Sequence, residues 1–239
     1  MAEQEVAKHT KKVYETLTNG EHSWWHKLKE FLLEIAIIVF AVTISIWFHD
    51  LSEKRHKRHD VNEFLSGLKT DLQRDIIELE SDRKSFTKTT RAIAYINNLK
   101  LHEKANTDSI RYYSNWFYNE VGFMPNDGRF EGFKSSGKIG DIEDTELQND
   151  IMDLYQEDVS SLISSTDFFS DRKGKLVDFL TNNLRQESDS TNNLSTIMAT
   201  DQARNMCRNL FFTTEIIHRY DICIAKSKKI IDAIDKREH

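Results

Sequence analysis

Phe31 to Phe48 reads FLLEIAIIVFAVTISIWF, eighteen residues with one ionisable group, Glu34. As a helix rising about 1.5 Å per residue this stretch spans ~27 Å, close to the hydrocarbon thickness of a bilayer. A signal peptide would carry a shorter apolar run ending at small residues for cleavage. Here the run leaves through Trp47-Phe48-His49-Asp50 and then Leu-Ser-Glu-Lys-Arg. A core helix apolar on every face needs a large core around it. The rest of the chain is too polar for that, with 30% charged residues overall. The segment reads as one transmembrane helix over residues 27–50, behind a polar lead over 1–26. Trp24, Trp25 and Trp47 stand at its two ends, where interfacial aromatics belong.

Just past the segment, EKRHKRHD (53–60) packs Lys54, Arg55, Lys57 and Arg58 together. These cations suit anionic lipid head groups, at about 1 kcal/mol each near the surface. Upstream, the nearby cations are Lys27 and Lys29, with Lys11 and Lys12 further off. The positive-inside rule thus leans towards a cytoplasmic C-terminal part.

Within the apolar run, Glu34, Ile38, Ala41 and Ser45 advance by four, three and four, so they share one helical face. Ala41 and Ser45 form a small-xxx-small pair, and small or polar residues on one face are what membrane helices use to associate. A carboxylate in hydrocarbon is costly, so Glu34 is expected to be protonated, paired or hydrated at the interface. Self-association through this face is the leading reading. A titratable Glu34 in a transport or energy-coupling subunit is the alternative.

Outside 119–140 the chain is short of helix breakers. Its one proline is Pro125, and five of its eight glycines (Gly122, Gly128, Gly132, Gly137 and Gly140) fall in that region. The expected class is mainly α: a transmembrane helix continuing into a helical stalk and an antiparallel bundle. Val61, Leu65, Leu68, Leu72, Ile76 and Leu79 mark a narrow seam on a helix reaching to about residue 83. Phe86, Ile93, Ile96 and Leu99 mark a second helical stretch, completing juxtamembrane stalk helices over 51–105. The bundle then takes 106–239, opening with an aromatic, irregular segment over 106–140. One later helix is expected through Leu147, Ile151, Leu154, Tyr155, Leu162, Phe169, Leu176 and Leu180. Another is expected through Met206, Leu210, Ile217, Ile224, Ile231 and Ile234, with a polar loop, ESDSTNNLST (187–196), between them. Cys207 and Cys223 would lie ~24 Å apart on that last helix, too far for a disulfide.

Tyr112, Tyr113, Trp116, Phe117 and Tyr118 are candidates for a partner surface; the plainer reading is an apolar plug at the end of the bundle. Little else carries chemistry. GFKSSGK (132–138) imitates a phosphate-binding loop, but Ile139 stands where a magnesium-binding hydroxyl is needed. Gly137 and Gly140 fit a turn before a helix starting near Asp144. His22 and His26 have a zinc-protease spacing without its glutamate, since Ser23 follows the first histidine. His56, His59 and Asp60 lack a fourth metal ligand. No nucleophile, base and orienter can be assembled, so no catalysis, cofactor or metal is expected. The net charge of -6 disfavours nucleic acid.

Two segments carry a resemblance: EFLLEIAIIVFAVTISIWFHDLSEKRHKR (30–58) and FEGFKSSGKIGDIEDTELQNDIMDLY (130–155). They resemble uncharacterised single-pass membrane proteins of Bacteroidota that form a domain-of-unknown-function family. Glu34, Trp47, Asp50 and 135–155 carry the likeness. His49-Asp50 stands where many of those proteins have paired asparagines, and Ala41 where a glycine is usual. The resemblance implies a protein of the bacterial inner membrane with no assigned activity. The basic N-terminal leads of that family imply a periplasmic C-terminal domain, opposite to the charge count here. The expected partners are the bilayer, further copies of the chain, and a protein docked by the distal domain.

Overall fold

The computed structural model describes residues 8, 10–15, 24–100, 106–188 and 191–238. The chain divides into two compact units, Met1–Asp60 and Val61–His239. One 75-residue helix, α1 (Trp24–Asn98), contributes to both. It passes straight through the expected break near residue 84, because no glycine or proline lies between Gly67 and Gly122.

In the first unit, residues 10–15 are helical and 31–48 are exposed except for the half-buried Glu34 and Ile38. In the second unit, α1 turns one face inward. Leu65, Leu72, Leu79, Phe86 and Ile93 form one buried row; Leu68, Asp75, Thr89 and Ile96, with the half-buried Asp82, form the next. The steps alternate four and three, the spacing of a coiled-coil seam. Ile76, assigned to that seam by its hydrophobicity, is only half-buried, and Asp75 holds the inward position beside it.

Helix α2 (Thr107–Tyr118) is capped by Asn106, whose side-chain oxygen accepts from the Asp108 and Ser109 amides. Residues 119–127 have no regular structure and lead to α3 (Gly128–Ser135). Gly137 then takes φ 76°, the left-handed conformation that ends helices and that a side chain would strain. After a 3-10 turn (Lys138–Asp141), α4 (Thr145–Asp153) starts with the Asp144 carboxylate accepting the Leu147 amide at 3.0 Å. The turn at Gly137 and the helix start near Asp144 are therefore as the sequence predicts. Half of the GFKSSGK stretch is helix α3, so it makes no phosphate loop.

From α4 the chain continues through a π-helical turn (Leu154–Val159) into α5 (Ser160–Asn183). The sequence explains the turn. Buried residues step 147, 151, 154, then 155, 159, 162, 166, 169, 173, 176 and 180. The pattern gains one residue between Leu154 and Tyr155, and a π turn absorbs one residue while keeping both sides of the seam inward.

The expected polar loop is more structured than its composition implies. It holds a two-stranded antiparallel ribbon, β1 (Gln186–Ser188) with β2 (Thr191–Asn192), and helix α6 (Leu194–Met198), which buries Leu194, Ile197 and Met198. The last expected helix is in fact two: α7 (Asp201–Arg208) and α8 (Thr213–Glu238), separated by turns over 209–212. Cys207 and Cys223 thus sit on different helices, and the spacing argument based on a single helix fails. Both thiols are free and fully buried, and burial pushes each up to about 12, so they are inert. Helix α8 buries Ile216, Tyr220, Cys223, Ser227, Ile230 and Ile234, leaving Ile217, Ile224 and Ile231 half-buried at the flank.

Helix α8 runs antiparallel to the second half of α1. Lys69 pairs with Asp235, Lys228 with Glu80 at 2.9 Å, and Arg83 with Asp221. The last two are exposed and the first part-buried, and such pairs fix register more than they stabilise. The Phe86 ring meets Phe169 of α5 at 5.2 Å and Tyr220 of α8 at 5.6 Å, so three helices share the core there. Two buried cations finish helix ends. Arg204 donates to the Leu99 and Lys100 carbonyls beyond α1, which has no basic residue in its own last turn. Lys173 donates to the carbonyl of Asn119, the C-cap of α2. Each supplies a donor and a positive charge where a helix leaves bare carbonyls.

Candidate functional site

The apolar half of α1 is long and apolar enough to cross a membrane, and none of that stretch is buried inside the protein. Trp24 and Trp25 lie edge to face at 4.9 Å at one end; Trp47 and Phe48 do the same at 5.1 Å at the other. From Trp25 to Trp47 the helix rises ~33 Å, which matches the spacing of two interfaces. Lys54, Arg55, Lys57 and Arg58 follow and are exposed. Lys57 forms an i,i+4 pair with Glu53 at 3.0 Å, and this ammonium holds the Glu53 carboxyl below its usual range.

The proposed packing face is brought together as expected, with a difference along its length. Glu34 and Ile38 are half-buried, whereas Ala41 and Ser45 are exposed. The Ser45 hydroxyl donates to the Ala41 carbonyl at 2.8 Å, and Thr43 donates to Val39 at 2.8 Å. Both hydroxyls are therefore satisfied within their own helix and can lie in hydrocarbon at little cost. The histidine pair His22 and His26 lies outside the described side chains.

The aromatic candidates separate sharply. Phe117 is 1% exposed and belongs to the core, not to a surface. Tyr113 is partly buried and stacks on Tyr95 at 5.0 Å, and Trp116 takes the Lys88 ammonium over its ring at 4.6 Å. Tyr113 and Trp116 fasten α2 to α1, and the cation–π contact adds about 0.5–1 kcal/mol. Tyr112 (65% exposed) and Tyr118 remain available to a partner.

A further set of residues has no counterpart in the sequence reading. Asp71, Asp75, Glu78 and Asp82 form an acidic stripe along α1 with steps of four, three and four. Three of them hold the irregular segment 119–127 and the first turn of α3 in antiparallel order. Asp71 pairs with Arg129 at 2.9 Å, and Glu78 accepts the Met124 amide at 3.1 Å. Asp75 accepts both the Asn126 amide at 3.1 Å and its side-chain NH2 at 2.6 Å. Gly67 makes room for this arrangement, because a Cβ there would stand 2.3 Å from the Arg129 guanidinium. Asp75 is 2% exposed; its burial raises its carboxyl above the ordinary range against the pull of Asn126, and Glu78 and Asp71 add to the rise. Asp82 is pushed up to about 6, mainly by burial, with Glu78 contributing. The available signal was a run of acids at seam spacing, Asp71, Asp75, Glu78 and Asp82.

No curated protein and no solved structure matches this chain. A family model does, from Leu33 in the apolar half of α1 to Ile197 in α6, and so across both segments that carried the resemblance. The chain belongs to a family of unknown function (DUF6090).

Proposed function

We propose that this protein is a single-pass, non-catalytic helical scaffold or sensor of a bacterial inner membrane. It self-associates through its anchor and docks a protein partner with its helical domain. The observation that supports this most is the apolar half of α1, whose large side chains face outward on every side. Such a surface is stable only when covered by lipid or by other helices. Tyr112 and Tyr118 are the exposed aromatics of α2, and they offer the docking domain its contact points.

Crosslinking in native membranes tests self-association. Glu34→Ala and Ala41→Leu are expected to reduce the crosslinked species severalfold, by removing a polar contact and by blocking close approach of the backbones. An unchanged crosslinking pattern in both variants would contradict association through this face.

A further inference from the structure

The segment 119–127 has no regular structure: carboxylates of α1 hold its polar groups, and Phe123, buried beside Met124, is its apolar anchor. Met124 is 78% exposed, and its amide is held by Glu78 alone among the polar contacts of the tip. The tie at Asp75 is electrically incomplete. Its partners are two neutral N–H donors of Asn126, while the nearby cation Arg129, in the first turn of α3, is engaged by Asp71. Asp71 and Glu78 flank Asp75 on its own helix, and Asp127 lies at the end of the segment. From the π-helical turn, the Tyr155 phenol lies within electrostatic reach of Asp75, Asp71 and Asp127. From α8, Tyr220 stands in the same relation to Asp82 and Glu78. Among the described residues, the titratable groups that act on Asp75 and Asp82 are acids and neutral phenols, and Arg129 meets the stripe at Asp71.

We propose that segment 119–127 is a proton-operated strap, closed firmly on α1 when the seam carboxyls Asp75 and Asp82 take up protons and loosened when they ionise.

The direction follows from linkage. Closure buries Asp75 among like charges without a counter-ion, so its carboxyl holds a proton more tightly with the strap closed than open. Lowering the pH through the raised value therefore favours closure, and the gain is complete below the ordinary carboxylate range. Protonation costs no hydrogen bond here, because one carboxyl oxygen still accepts from Asn126. Asp82 acts on the same stripe through Glu78, and its own Oδ2 has no hydrogen-bond partner. Opening would uncover Phe123 and Val121, which pack on the core. A change in proton concentration thus becomes exposure of an apolar surface.

Amide hydrogen exchange of the full chain in detergent micelles tests this, with rates corrected for the intrinsic effect of pH. Protection over 119–127 is expected to fall by up to about tenfold per titrating carboxyl for each pH unit as the pH rises from the ordinary carboxylate range towards its raised value, about 6 for Asp82, and to level off above that. Peptides from α8 should keep their protection over the same range. Asp75→Asn keeps an acceptor for Asn126 without the charge, and should hold the strap protected at the alkaline end. Asp82→Asn should act in the same direction, more weakly, and guards against a folding defect in the first variant. Protection independent of pH, protection that rises with pH, or a loss shared equally by α8 would overturn the proposal.

Discussion

One helix meets two different surroundings in this protein, and the two halves of α1 show how the sequence specifies each. Between Phe31 and Phe48 nearly every position is apolar, and almost all of those side chains face outward. Between Val61 and Ile96 apolar residues gather on the seam, where they are buried, and Ile77 is the large exposed exception. The backbone is helical in both. What differs is the angular distribution of hydrophobicity: all round in the first half, as suits hydrocarbon, and one-sided in the second, where a bundle covers one face.

The same kind of substitution should therefore have opposite consequences in the two halves. Leu72→Ala removes a fully buried side chain from the seam and should cost about 2–5 kcal/mol in urea unfolding of the domain in detergent. Ile37→Ala, at an exposed apolar position, should leave that unfolding unchanged within error. A charge reverses the ranking. Val39→Lys at the middle of the apolar run should cost about 2.5–3.5 kcal/mol of membrane insertion, read as protein released by alkaline carbonate, while domain unfolding stays as it was. Equal sensitivity of the two halves to either change would break the comparison.

Smaller effects sharpen it within the buried half. Gly137→Ala forces a side chain into a left-handed backbone and should cost on the order of 1 kcal/mol. Asp144→Ala removes the cap of α4 and should cost about 1 kcal/mol, with the loss confined to α4 in hydrogen exchange. For pH, the sign comes from Asp82, whose folded value near 6 exceeds its ordinary one. The native state then binds the extra proton, so stability should rise as pH falls through about 6 and level off near the ordinary carboxylate value. Partial exposure keeps the gain to roughly 1 kcal/mol. Asp82→Asn should abolish it and raise the urea midpoint at neutral pH. The smallest effect is Tyr220→Phe. It removes a buried hydroxyl with no partner and should be neutral or stabilising by a few tenths of a kcal/mol.

How much of this was legible depended on whether local chemistry or tertiary packing decides. The apolar run, the seam from Val61 to Leu79 apart from Ile76, the Gly137 turn and the helix start near Asp144 are local signals, and each is found where the sequence places it. The phase of α8 was not legible. Isoleucine pairs at 216–217 and 230–231 offer two equivalent faces, and only the packing of Tyr220 and Cys223 chooses between them. The break at 209–212 contains no glycine or proline to announce it. Lys173 and Arg204 look like surface cations in sequence, because the carbonyls they cap belong to helix ends 54 and 105 residues away. The acidic stripe was hidden for a similar reason: its partners, Met124, Asn126 and Arg129, come from a segment with no periodicity of its own.

The most direct test of the central claim, that the first half of α1 crosses a bilayer, is labelling with an impermeant maleimide in intact cells. Lys8→Cys and Glu63→Cys place single exposed thiols on either side of the apolar run. Cys207 and Cys223 are fully buried and should add little background. The account predicts that one introduced thiol is labelled from outside and the other only after the membrane is permeabilised. Labelling of both from the same side would contradict it.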